Sequence, residues 1–127
     1  MKSFDINVED FNLEHTLECG QVFRWRKVES CVYEGIIENS LVTLRQKKDR
    51  LWVSASDPKL TPALIRSYLD LNLDLPYIYN KIGKDKRVRT AIKKYAGLRI
   101  IRQPLWECAA SFIISAYNNI PRIKGII

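Results

Sequence analysis

The feature that most limits how this chain can fold is a change of hydrophobic period near residue 57. Before it, Phe4, Ile6 and Val8 alternate with polar residues, as a half-buried strand requires. Short polar connections separate the β-rich segments that follow, which favours an antiparallel meander or a curved sheet. These further segments are Val22–Lys27, Cys31–Ile37, Leu41–Gln46 and Leu51–Ala55.

After Pro58 the apolar residues recur at helical spacing. The predicted helices run from Thr61-Pro62 to near Leu71, from Asp74 to Gly83, over Lys84–Tyr95 and over Leu105–Ala116. The last of these is apolar on nearly all sides, which predicts a buried central helix. We therefore predict an α+β fold, with an N-terminal antiparallel curved β-sheet over residues 1–57 followed by a cluster of α-helices over residues 58–127.

Charge is divided unevenly between these two parts. Residues 1–57 carry eight Lys or Arg and ten Asp or Glu, whereas residues 58–127 carry thirteen and four. A polyanion would favour the second part, because each neutralised phosphate releases condensed counterions. A solvated basic surface without a ligand explains the same charge, and for the basic helix near Lys84–Lys94 it is the better interpretation.

The sequence also limits the class of protein. No stretch approaches eighteen consecutive apolar residues, so no membrane association is expected. The N-terminus has no apolar signal core, which favours a cytoplasmic, nucleoid-associated protein. Cys19, Cys31 and Cys108 are widely spaced and His15 is the only histidine, so neither a metal site nor a cofactor is expected.

Two segments contain residues suited to binding a ligand. The first is Cys19-Gly20-Gln21-Val22-Phe23-Arg24-Trp25. Gly20 has no Cβ, so its backbone can approach a ligand closely. A tight turn between strands explains the same glycine, and both interpretations stay open at this point. Phe23 and Trp25 fit core positions better than stacking platforms.

The second such segment, Tyr117-Asn118-Asn119-Ile120-Pro121-Arg122, follows the apolar helix. Amide and guanidinium groups read nucleobase edges, and an aromatic ring can replace a base in the stack. The alternative is a helix end capped by asparagines and followed by a helix that begins at proline.

Together the two segments resemble the N-terminal part of the 8-oxoguanine DNA glycosylases, which carry similar Gly-Gln-x-Phe-Arg-Trp and Asn-Asn-Asn-Ile-x-Arg segments. The resemblance implies base-excision repair of double-stranded DNA containing oxidised guanine, with glycosidic cleavage through a lysine Schiff base and strand scission by β-elimination. It implies that the Gly20 carbonyl accepts a hydrogen bond from N7–H of 8-oxoguanine, a hydrogen that guanine lacks. It also implies contacts to the gap and the opposite base from Tyr117, Asn118, Asn119 and Arg122.

One position departs from the family's pattern, because Tyr117 stands where the family has its first asparagine. A phenol can stack in the gap but cannot copy the contacts of an amide to cytosine. We therefore expect a weaker preference for the base opposite the lesion.

The family's later helix-hairpin-helix, with its catalytic lysine, and the aspartate that follows it have no counterpart in these 127 residues. Lys124 has no Gly-x-Gly hairpin around it, and an amine nucleophile needs a pKa lowered by burial or nearby charge. We therefore expect no catalytic residue here, no DNA cleavage by this chain alone, and a separate C-terminal catalytic segment or its equivalent as a partner.

Two other functions fit the same sequence. A stand-alone basic module would bind DNA with a steep salt dependence and little lesion preference. A protein-interaction module would instead associate with another chain, or with itself, through exposed apolar helices after Leu105.

Overall fold

Five strands form one antiparallel sheet in the computed structural model, which describes residues 1–127. The strands are β1 (Lys2–Asn7), β2 (Trp25–Glu29), β3 (Val32–Ile37), β4 (Ser40–Lys47) and β5 (Arg50–Ala55), in the order β1-β5-β4-β3-β2. The last four are a meander of consecutive hairpins. β1 pairs with β5 at the other edge, where Lys2 lies opposite Ala55 and Asn7 opposite Arg50.

Six helices complete the fold. They are α1 (Leu13–Glu18), α2 (Pro62–Tyr68), α3 (Leu75–Ile82), α4 (Lys86–Lys94), α5 (Leu105–Ser115) and α6 (Ile120–Ile126). Five of them begin after a side chain whose oxygen accepts a hydrogen bond from a first-turn amide, the usual reason for a helix to start at such a residue. These caps are Asn12, Thr61, Asp74, Asp85 and Asn119.

The predicted α+β class is confirmed, with two local corrections. A helix, α1, interrupts the strands that the sequence indicated, because Asn12 caps it and Leu13, Thr16 and Leu17 all face the core. The second strand begins at Trp25 and not at Val22, since residues 22–24 form an irregular segment before the strand.

The hydrophobic core lies between the sheet and the elements around it. One cluster of 19 buried residues joins strand residues such as Val42 and Val53 to Leu17 of α1 and Ile65 of α2. It also contains Ile101, from the segment that leads into α5. Residues on both sides of position 57 therefore share this core.

The expectation that Leu105–Ala116 is a buried helix is wrong. α5 occupies this segment, but Ser111 is its one buried residue. Leu105, Trp106, Phe112 and Ile113 are between 68% and 89% exposed. α5 packs against α6, and its Glu107 pairs with Arg24, the residue before β2; its remaining face has no partner within the chain. No helix is both long and apolar enough to span a membrane.

Candidate nucleic-acid interface

The loop Cys19–Gln21, here called the Gly20 loop, follows directly from α1. Gly20 has a φ of +86°, a conformation that costs an L-residue with a Cβ. A Cβ at this position would lie an ordinary 3.6 Å from Ile120 Cδ1, so the backbone conformation and not space requires glycine. Its carbonyl accepts no hydrogen bond from the protein. The loop therefore carries a free acceptor.

Gln21 holds this loop in place with both ends of its side-chain amide. Nε2 donates to the carbonyls of Thr16 at 2.9 Å and Arg99 at 2.7 Å. Oε1 accepts from the amide of Ile101 at 2.8 Å, and the Gln21 carbonyl accepts from Gln103 Nε2 at 2.9 Å. Four hydrogen bonds thus fix the loop to α1 and to residues 99–103.

Arg99, which the sequence analysis did not single out, anchors that segment in turn. It is only 4% exposed and has no carboxylate partner. Its guanidinium group donates instead to four main-chain carbonyls, those of Glu9, Asp10, Asp70 and Leu73, at 2.8–3.3 Å. An arginine between apolar neighbours, Leu98 and Ile100-Ile101, is a weak sequence signal for such a buried role.

Trp25 supports the loop from the sheet side. It is buried, as predicted, and its indole Nε1 donates to the hydroxyl of Tyr68 at 3.0 Å. Burial raises the pKa of Tyr68 to about 12, so this hydroxyl stays neutral. A Cβ on Gly35 would lie 2.3 Å from the Trp25 ring, so the indole packs directly on the glycine across the strands. Phe23 is only half-buried.

The fold brings the Gly20 loop and α6 to one cavity of about 250 Å³. Gly20, Ile120 and Lys124 all line this cavity, although Gly20 is far from the other two in the sequence. The remaining lining residues are Leu17, Glu18, Val22, Trp25, Lys27 and Tyr33. Two of the predicted segments therefore meet in space, through Gly20 and the first turn of α6.

Tyr117 lies in the connection between α5 and α6 in an unusual conformation. The amide of Asn118 donates to the carbonyl of Ser115, Ala116 has φ −60° and ψ 121°, and Tyr117 has φ +56°. These are the features of a type II turn, whose third position favours glycine or asparagine. Tyr117 occupies that position with a fully exposed side chain. Such local strain is concentrated at functional sites.

The other three residues of the segment divide into two groups. Asn118 donates through Nδ2 to the carbonyl of Ile114 at 2.5 Å, and Asn119 accepts from the amide of Arg122 at 3.0 Å. Both asparagine side chains therefore cap helix ends. The side chain of Arg122 is exposed and forms neither a hydrogen bond nor an ion pair with the protein.

Two ion pairs frame this region. Arg24 lies 3.4 Å from Glu107 and links the residues after the Gly20 loop to α5. The hydrogen bond from Lys27 to Glu14, at 2.5 Å, raises the pKa of Lys27 and lowers that of Glu14. No group of three or more His, Cys, Asp or Glu side chains is placed to hold a metal ion, and the three cysteines are free and exposed.

Known proteins resemble this chain in both sequence and fold. The N-glycosylase/DNA lyase OGG1 of Arabidopsis thaliana is 31% identical over 124 residues, which cover 93% of this chain and 34% of the plant protein. The 8-oxoguanine glycosylase/lyase of Clostridium acetobutylicum in its apo-form superposes with a TM-score of 0.89 at 32% identity, covering 98% of this chain and 44% of that one. Its complex with double-stranded DNA containing cytosine opposite 8-oxoG gives a TM-score of 0.83 at 28% identity, with 95% and 45% covered.

This chain therefore spans about a third of the plant relative and less than half of the solved structures. A family model of the N-terminal domain of 8-oxoguanine DNA glycosylase matches residues 3–109. The chain belongs to the 8-oxoguanine DNA glycosylase family, as its N-terminal domain.

Proposed function

We propose that this chain provides lesion recognition in base-excision repair, by binding double-stranded DNA that contains 8-oxoguanine. The observation that carries this proposal is the free carbonyl of Gly20, fixed by Gln21 at the edge of a cavity. An acceptor held in this way pairs with the N7–H of the oxidised base. Guanine presents a lone pair at N7, so the same carbonyl would be left unpaired.

The expected discrimination follows from the cost of that unpaired group. Leaving a buried acceptor without a donor costs about 1–3 kcal/mol, which corresponds to a preference of roughly 5- to 150-fold. A single main-chain carbonyl can therefore separate lesion from normal base, provided that the loop does not move away.

At the extruded site, Tyr117 and Arg122 contact DNA directly, while Asn118 and Asn119 shape the turn that presents them. The exposed ring of Tyr117 can stack in the gap that an extruded base leaves, and base–aromatic stacking contributes about 1–3 kcal/mol. The unpaired guanidinium of Arg122 can donate to acceptors on the opposite cytosine. Because Tyr117 replaces an amide, the preference for cytosine is weak.

The chain supplies recognition and no nucleophile. None of its lysines is buried, and the hydrogen bond to Glu14 raises the pKa of Lys27. A lysine that attacks the sugar needs the opposite shift. Borohydride trapping on an 8-oxoguanine duplex is therefore expected to give no covalent adduct. A trapped adduct would place the nucleophile within this chain and contradict this part of the proposal.

Binding of the 127-residue chain to two matched duplexes tests the recognition role. One duplex carries 8-oxoguanine opposite cytosine and the other carries guanine there, and fluorescence anisotropy gives both dissociation constants at the same salt. We expect tighter binding to the lesion by at least about 5-fold. Equal affinities would favour a DNA-binding module without lesion recognition.

A further inference from the structure

The surface around α4 carries the strongest concentration of charge in the molecule. Between residues 81 and 94 there are seven basic side chains and one acidic residue, Asp85. The carboxylate of Asp85 is engaged in capping α4 through the amides of Arg87 and Val88. The basic residues are Lys81, Lys84, Lys86, Arg87, Arg89, Lys93 and Lys94.

None of these seven cations forms a salt bridge, although five basic residues elsewhere do. Arg89 donates to the carbonyls of Gly83 and Lys84, which fixes its side chain against the start of the helix. A surface that serves only solubility usually mixes charges of both signs. A helix with unpaired like charges at neighbouring positions repels itself unless an anion lies against it.

The exposed basic side chains of α4 also lie on one side of the helix. Val88 and Ile92, one turn apart, are half-buried, whereas Lys86, Arg87, Lys93 and Lys94 are exposed on the other side. Positions i, i+1, i+7 and i+8 share one face, so these four form two pairs two turns apart. Two turns of helix span about 11 Å. This outward face has no competing acidic side chain.

The end of α4 lies close to the Gly20 loop. Tyr95, which follows α4, stacks edge-on against His15 of α1 at 5.7 Å between ring centroids. Tyr95 and Cys19 line the same cavity of about 520 Å³, and Cys19 is the neighbour of Gly20. The acidic residues at this cavity, Glu14 and Glu18, lie 2.5 and 3.9 Å from Lys27, which offsets one of their two charges. The C-terminal end of α4, where Lys93 and Lys94 precede Tyr95, therefore lies near the Gly20 loop.

From this placement we infer that the outward face of α4 binds the sugar–phosphate backbone of the same DNA duplex whose lesion is read at Gly20. The inference rests on the proposed function and extends it to a second contact. Phosphate contacts carry no sequence information but position the protein and supply affinity. α4 thus contributes affinity for any duplex, while Gly20 contributes the preference for the lesion. On this inference α4 is more than the solvated surface without a ligand that its sequence favours.

Two charge-matched variants test the inference in the 127-residue chain. K86Q/K93Q removes two cations from the outward face of α4. K2Q/K59Q removes two cations from another part of the surface, where Lys2 of β1 pairs with Ala55 and donates to the carbonyl of Pro58, the neighbour of Lys59. Dissociation constants for the lesion and undamaged duplexes are measured between 50 and 300 mM KCl, and circular dichroism confirms that both variants are folded.

A phosphate contact contributes about 0.9 to the slope of log K against log salt. We expect K86Q/K93Q to reduce that slope by about 1.8, K2Q/K59Q to leave it nearly unchanged, and the ratio of lesion to undamaged affinity to stay constant. Equal changes in both variants would show a general charge effect and overturn the inference. An unchanged DNA slope, with lost binding to vesicles rich in phosphatidylserine, would overturn it in favour of a membrane surface. If the unmodified chain binds the lesion and undamaged duplexes equally, lesion recognition is contradicted. The salt slopes of the two variants would still test the contact between α4 and DNA.

Discussion

Gln21 donates a hydrogen bond of 2.7 Å to the main-chain carbonyl of Arg99, and so joins the Gly20 loop to the segment that leads into α5. Substitution Gln21→Ala would leave this carbonyl and the amide of Ile101 without partners, and would leave the carbonyl of Thr16 only the weak Cys19 thiol donor. We expect it to lower the free energy of unfolding by about 2 kcal/mol, measured in urea, and to reduce the lesion preference.

Gln46 provides a matched control for this variant. Its amide also makes three hydrogen bonds to the main chain, to Phe11, Leu13 and Lys48, but at the other end of α1. Gln46→Ala should therefore destabilise the chain by a similar amount while keeping the lesion preference. A loss of preference in both variants would mean that general loosening, and not the position of Gly20, sets recognition.

Tyr117 is expected to affect stability and binding in opposite directions. Tyr117→Gly removes a side chain from a turn position that favours glycine, so the free energy of unfolding should rise by about 0.5–1 kcal/mol. The same change removes the stacking ring, and duplex affinity should fall by about tenfold. Tyr77→Ala, which removes another exposed tyrosine, should leave affinity unchanged. Unaltered binding by Tyr117→Gly would exclude the ring from the interface.

Gly35 is expected to tolerate no side chain. In Gly35→Ala the new Cβ would meet the Trp25 ring at 2.3 Å and the carbonyl of Arg24 at 2.8 Å, so the indole must move. Overpacking of this kind costs about 1–3 kcal/mol in the free energy of unfolding. Gly125→Ala, where no atom lies within 4 Å of the added Cβ, should show no loss. Equal stability of the two variants would mean that Trp25 is not packed as described.

The exposed face of α5 predicts self-association of this chain. This face is an exposed apolar surface, and surfaces of this kind tend to be buried against another molecule. It consists of Leu105, Trp106, Phe112 and Ile113. We expect sedimentation velocity to show oligomers at micromolar concentration, and W106S/F112S to restore the monomer. Trp52→Ser, on the outer side of the sheet, should not change the oligomeric state. Oligomers that persist in W106S/F112S would place the contact elsewhere.

The sequence predicted the elements whose signals are local. Thr61-Pro62, Asp74 and Gly83 marked helix ends, because a cap and a stop depend on a few neighbouring atoms. α1 was missed because six residues between strands give too short a period to recognise. The burial of α5 was wrong because an apolar sequence shows that a helix needs a partner, not whether this chain contains one.

The candidate site, like the fold, could be predicted only in part from the sequence. The motifs located Gly20 and the segment from Tyr117 to Arg122, and the fold brings Gly20 close to Ile120. Their roles in binding DNA stay predictions. The part played by Gln21 and Arg99 could not be predicted, because Gln21 bonds to Arg99, 78 residues away, and Arg99 to Glu9, 90 residues away, and only the fold brings them together.

The most direct test of lesion recognition observes the Gly20 carbonyl itself. The chain has five glycines, so labelling their carbonyl carbons with ¹³C gives a simple spectrum in which mutation assigns Gly20. A hydrogen bond to this carbonyl should shift its resonance on addition of the 8-oxoguanine duplex, and the matched guanine duplex should leave it in place. A resonance that does not respond while the lesion duplex binds would contradict recognition through Gly20.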